Sequence, residues 1–181
     1  MNKCTPIKDT NIIDLIKESY RKKNNERDLL LFLLSINTGL RITELLHLSV
    51  KDVKNKKGLI IVQDDLYNRL IPFNKEMKEL INKITKGKNL NSPLFLTKNN
   101  KPIDRTTVFL LFKNICKDLG LSEDISIKSW RKTFAYFHYK KYKDLSFLNW
   151  FFNHNSIEQT IDYIGLDDLN FATMYQEGIS L

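Results

Sequence analysis

The chain has few of the residues that announce a special architecture. Its 181 residues include two cysteines, Cys4 and Cys116, at a spacing that fits neither a metal site nor a redox pair. A disulfide-stapled scaffold is thereby excluded, and both thiols are expected to be reduced. Prolines number 4 and glycines 6, too few for a collagen-like or linker-rich chain. No apolar run is long enough to span a bilayer, and the opening MNKCTPIKDTN carries no apolar signal-peptide core. A membrane partner is therefore not expected, and a cytoplasmic location is. There is no internal repeat and no low-complexity tract.

Negative charge is also in short supply. Lys and Arg number 29 against 21 Asp and Glu, a net charge of +8. That excess points to a polyanionic partner, nucleic acid being the commonest. Lysine far outnumbers arginine, however, and lysine equally serves solubility. Charge alone leaves both readings open. At 42% hydrophobic and 28% charged residues, the chain can build one domain with a real core.

Along the chain, Asp9 or Thr10 can cap a first helix carrying Ile12, Ile13, Leu15 and Ile16, which Asn24-Asn25 breaks. Residues 26–36 are almost continuously apolar (LLLFLLSI), the pattern of a buried central helix. Thr38-Gly39 ends it, Arg41 follows at once, and Thr43 can cap a short helix, ELLHL. GLIIVQ (58–63) and RLIPF (69–73) read as two strands joined by a five-residue turn, DDLYN. Asn74 caps a helix stopped by Gly87, SPLF (92–95) has the look of a brief strand, and Asp104 caps a long helix ended by Gly120. Residues 127–141 and 144–152 read as helices, and Ser156 with Gln159 forms a capping box for one more. The sum is mainly α (α+β), bundle-like, with one small antiparallel sheet.

The chemistry concentrates in residues 126–165. Arg131 sits in a basic cluster, His154 follows in FNHNS, and Tyr163 comes nine residues later in DYIG. Arginine, histidine and tyrosine are the groups needed to hold a phosphodiester and attack it without a metal. Phosphoryl transfer is mostly positioning plus stabilisation of charge on the equatorial oxygens, and guanidinium forks suit that task better than ammonium groups. A phenol, with a pKa of about 10, needs a cationic neighbourhood or a base to act as nucleophile near neutral pH.

These residues resemble the catalytic domain of tyrosine recombinases, the phage integrase family. The likeness runs from about Pro6 to Gly165 and rests on TGLRITELL (38–46), RLIPF, SPLF, KSWRKTFAY (128–136) and FNHNSIEQTIDYIG (152–165). One such box is weak evidence; three in order make a strong signal. The resemblance implies that Tyr163 is the nucleophile, forming a 3′-phosphotyrosyl bond and releasing a 5′-hydroxyl. Arg41 and Arg131 would clamp the non-bridging oxygens, and His154 would donate a further hydrogen bond. Lys128 stands where the family usually has histidine, and Glu44 would orient an arginine without touching phosphate. Arg41, Lys128, Arg131 and Lys132 would contact DNA. No metal or other cofactor is expected. The implied partners are double-stranded DNA and other recombinase subunits assembled on it. His47 and His138 read as structural, and Trp130, Phe134, Phe137, Trp150, Phe151 and Phe152 as core.

Two departures stand out. The family carries a lysine in the hairpin turn that protonates the leaving 5′-oxygen, whereas this turn reads Asp64-Asp65-Leu66-Tyr67-Asn68. Lys56 and Lys57 precede the first strand instead. The family also places a helical DNA clamp before the catalytic domain; here residues 1–181 read as one catalytic domain without it, either an excerpt or a chain that works alone. The segment 168–181 has one greasy face and is expected to form a tail helix docking in trans. The rivals are a non-catalytic or weakly active integrase-like DNA-binding protein that regulates recombination, a type IB topoisomerase, and a generic helical DNA-binding regulator.

Overall fold

Helix α2, Glu26–Thr38, is the buried centre of the first of two units into which the chain divides between Phe134 and Ala135. The computed structural model describes residues 4–64 and 67–166. Leu29 to Leu34 are all between 0% and 3% exposed, which is why the sequence shows no polar face there. Around α2 come α1 (Thr10–Lys22), α3 (Ile42–Leu46), α4 (Val50–Val53), the hairpin β1 (Gly58–Asp64) and β2 (Tyr67–Pro72), α5 (Lys75–Thr85), α6 (Arg105–Asp118) and the start of α7 (Ile127–Tyr142). The second unit holds the rest of α7 with α8 (Leu145–Phe152) and α9 (Ile157–Ile164). Among the described residues the expected helical architecture with one two-stranded antiparallel sheet is therefore present.

An aromatic cluster ties four helices of the first unit together. The Phe32 ring on α2 lies 5.4 Å from Trp130 on α7 and 6.1 Å from Tyr20 on α1. Phe112 on α6 meets the Trp130 ring edge-on at 4.9 Å. Such edge-to-face pairs add to the area that each ring buries. Trp130 is thus core, and so is Phe134; in the second unit Phe151 and Phe152 are buried, with Phe137 and Trp150 half-buried.

Short polar side chains start the helices as their chemistry requires. Asp9, Asn74, Asp104 and Asp144 each accept a backbone N–H from the first turn that follows, at 2.8–2.9 Å. Several boundaries differ from the sequence reading. Thr43 lies inside α3 instead of capping it: Arg41 holds the cap position, and the Glu44 carboxylate reaches back to its N–H. Ser156 does accept the Gln159 N–H at 3.2 Å, but Gln159 Oε1 accepts from Asn155 at 2.9 Å, one residue before the cap. SPLF contributes only an isolated bridge, Ser49 to Pro93. The one-turn helix α4 went unread because four residues carry no periodicity. The strands run to Asp64 and from Tyr67, longer than expected, since ladder pairing carries Asp and Asn residues that disfavour strands in isolation. Residues 65–66 of the turn and the expected tail helix, 168–181, lie outside the described residues. Among the described residues no helix is long and apolar enough to cross a membrane.

Both cysteines are free thiols. Burial pushes the Cys116 thiol up from about 9 to about 11. The folded thiol therefore keeps its proton where the unfolded chain has lost it, so stability should fall as pH rises from about 9 to about 11. Burial of the Tyr20 phenol, helped by the charge of Asp28, acts in the same direction at higher pH. Cys116→Ala should flatten the lower part of this alkaline slope, by up to about 1.4 kcal/mol per pH unit. Chemical unfolding followed between those pH values checks this; an unchanged slope rules the thiol out as its source.

Candidate active site

The first-arginine box is a turn built on glycine. Thr38 Oγ1 donates to Leu34 O at 2.7 Å and accepts from Leu40 N at 3.3 Å, rounding off α2. Gly39 then turns left-handed, φ 69°, with its N–H on Ser35 O at 3.0 Å. Arg41 emerges exposed two residues on. Glu44 holds it twice, accepting its backbone N–H and lying 3.7 Å from its guanidinium.

The second box is the start of α7. Ser126 Oγ accepts the Lys128 N–H at 3.3 Å, and Ser129 Oγ accepts the Ser126 N–H at 3.0 Å, a reciprocal cap. Ser129, Trp130 and Thr133 face inward, 0–1% exposed. Lys128 is exposed, and Arg131 and Lys132 are half-buried. The Phe134 ring closes over Gly39, where a Cβ would lie 2.3 Å from Phe134 Cδ1. The backbone that carries Arg41 is thereby seated against the helix that carries Arg131. Gly39→Ala combines a left-handed alanine with this clash and should cost roughly 2–4 kcal/mol. Thermal melting checks it; a shift within error means that the turn relaxes freely.

The third box lies in the second unit. Asn153 ends α8 in the left-handed region, φ 55°, and the His154 N–H closes the turn on Asn149 O at 3.0 Å. His154 Nδ1 is 3.0 Å from Thr160 Oγ1, and the Asn149 amide donates to the same hydroxyl at 3.1 Å and to Ser156 O at 2.7 Å. When Thr160 donates to Nδ1, the neutral ring keeps its proton on Nε2, which suits donation to a phosphate oxygen. Tyr163, half-buried on the last turn of α9, sets its ring 5.0 Å from His154 and 4.9 Å from Phe152. Gly165, φ 69°, stops the helix behind it.

Asn149 and Thr160 are the residues that the sequence reading missed. Thr160 carries a weak signal, since it sits three before Tyr163 on α9 and so shares its face. Asn149 carries none, because its contacts form only after the α8–α9 turn. His47 keeps a structural role, its Nδ1 2.6 Å from Thr43 O. Among the described residues, no group of three or more His, Cys, Asp or Glu side chains is placed to hold a metal ion.

The chain is similar to several known proteins. The chain is 35% identical over 178 residues to the probable integrase/recombinase YoeC of Bacillus subtilis (strain 168), covering 97% of each. It is 30% identical over 156 residues to the tyrosine recombinase XerA of Pyrococcus horikoshii, covering 83% of this chain and 54% of that protein. The chain thus spans nearly all of the first relative and about half of the second. Among solved structures, a XerA recombinase superposes with a TM-score of 0.74 at 19% identity, covering 97% of this chain and 64% of the other. The Tn1549 transposon integrase, solved in complex with circular intermediate DNA, gives 0.72 at 18% identity, covering 98% and 66%. Residues 7–169 match the phage integrase family model, and with the three boxes folded as described, the chain belongs to the phage integrase family.

Proposed function

We propose that the chain is a DNA strand transferase that cuts and rejoins double-stranded DNA through a covalent tyrosyl intermediate, in the manner of a site-specific recombinase. The Tyr163 oxygen attacks the scissile phosphorus, a Tyr–O–P bond forms, and the P–O bond to the 5′-oxygen breaks. The 3′-phosphate stays on the enzyme and a 5′-hydroxyl departs; rejoining reverses the step. Arg41 and Arg131 neutralise the two non-bridging oxygens with planar forks, and His154 adds a third donor. Lys128 and Lys132 contribute positive charge along the DNA. Nothing in this set requires a metal or other cofactor. Further copies assembled on the DNA would complete a strand exchange, and a cytoplasmic site of action goes with this role.

The observation that carries the proposal is the His154–Tyr163 pair, ring to ring at 5.0 Å, with Thr160 Oγ1 at the imidazole Nδ1. A second reading, a DNA-binding relative without cleavage, is favoured by the hairpin turn DDLYN, which offers no lysine to protonate the leaving oxygen. Incubation with nicked suicide substrates separates the two. Cleavage yields a protein–DNA adduct that survives denaturation, and its absence on every substrate favours the binding role.

A further inference from the structure

The first described residues of the chain run beside α7. Thr5 N–H donates to Asp124 O at 3.1 Å, and Ile7 N–H donates to Thr133 Oγ1 at 2.9 Å. Cys4 Sγ lies 3.1 Å from Ser129 Oγ and 3.4 Å from Ser126 Oγ, the two hydroxyls of the α7 cap. Thr133 Oγ1 meanwhile donates to Ser129 O at 2.8 Å. Cys4 and Ile7 of this strap thus engage the cap and the first two turns of α7, Ile7 across a sequence separation of 126 residues.

The partners in this contact are unusual for a core. Ser129 and Thr133, one turn apart on the inward stripe of α7, are 0% and 1% exposed, and Ile7 is 1% exposed. Core packing alone would favour apolar side chains there, because a threonine bonded back to the carbonyl four residues earlier slightly weakens its helix. A buried hydroxyl that accepts a strap N–H adds a directional contact to the packing, and so sharpens the rotation and register of the helix. Lys128 and Arg131 project from that same stretch. A shift of one ångström in a phosphate clamp can cost about 100-fold in rate.

We propose that the segment Cys4–Ile7 is a positioning strap, acting through Ser129 and Thr133 to set Arg131 and Lys128 for the phosphate. The catalytic part of this rests on the function proposed above. Thr133→Val removes the acceptor of Ile7, and Cys4→Ala removes the thiol contacts to the α7 cap while leaving the sequence of α7 unchanged. Adduct formation by Thr133→Val should slow roughly 10- to 100-fold, and by Cys4→Ala less, with DNA affinity and its salt dependence unchanged. Thr133→Ser should restore the parent rate. Parent-like rates in Thr133→Val overturn the proposal, as does a fall in rate matched by equal falls in affinity and melting temperature. Arg131→Ala is the control: if parent and control behave alike, the role of Arg131 falls instead. Amide exchange at residues 127–131 then still judges the strap, which requires faster exchange in Thr133→Val than in the parent and Thr133→Ser.

Discussion

Tyr163→Phe should bind DNA as the parent does and form no covalent adduct at all. The substitution removes one oxygen and leaves the ring against Phe152 and His154, so packing in the second unit is retained. A missing nucleophile is an all-or-none loss, larger than the loss of one stabilising donor, which costs about 10²–10³-fold. Gel separation of denatured protein–DNA complexes reads the adduct, and filter or anisotropy binding reads affinity. Adduct formed at the parent rate would falsify the assignment of Tyr163 as nucleophile. Loss of binding together with the adduct would make the tyrosine a structural residue of α9.

The leaving group supplies the second large effect. With no lysine in the turn, the 5′-oxygen must depart with little help, and a positioned general acid is worth roughly 10²–10⁴-fold. DNA carrying sulfur at the 5′-bridging position releases a thiolate, which needs no proton. Cleavage of that substrate should exceed cleavage of ordinary DNA by a factor approaching this range. Asp64→Lys or Asp65→Lys should raise the rate on ordinary DNA and narrow the gap. Equal rates on both substrates would mean that another group already serves as the acid; Lys128, exposed at the start of α7, is the first to test, by Lys128→Ala.

What could be read in advance divides along physical lines. Helix α2 was legible because its apolar run has one explanation, full burial, and Asp9, Asn74 and Asp104 were legible because capping is a local chemistry of short polar side chains. Arg41, Arg131, His154 and Tyr163 were legible as a pattern of boxes. Of their supports only Glu44, which accepts the Arg41 N–H, was legible as part of a box; Thr160 shows its value only once α9 folds back on His154. The strap was beyond reach, since nothing in Ile7 names Thr133 as its partner until the fold brings them together.

The seat of Phe134 on Gly39 also bears on how such chains can change over generations. The two positions belong to different boxes, yet a Cβ at one occupies the ring space of the other. The first box therefore cannot gain a side chain at position 39 while the second keeps its ring. A lineage that gained a side chain at position 39 would have to shrink the aromatic at 134 first, passing through an underpacked intermediate whose cost reaches about 3–5 kcal/mol when the ring is cut back to alanine. Phe134→Leu should accordingly soften the penalty of Gly39→Ala, and members of the family should show the two positions varying as a pair.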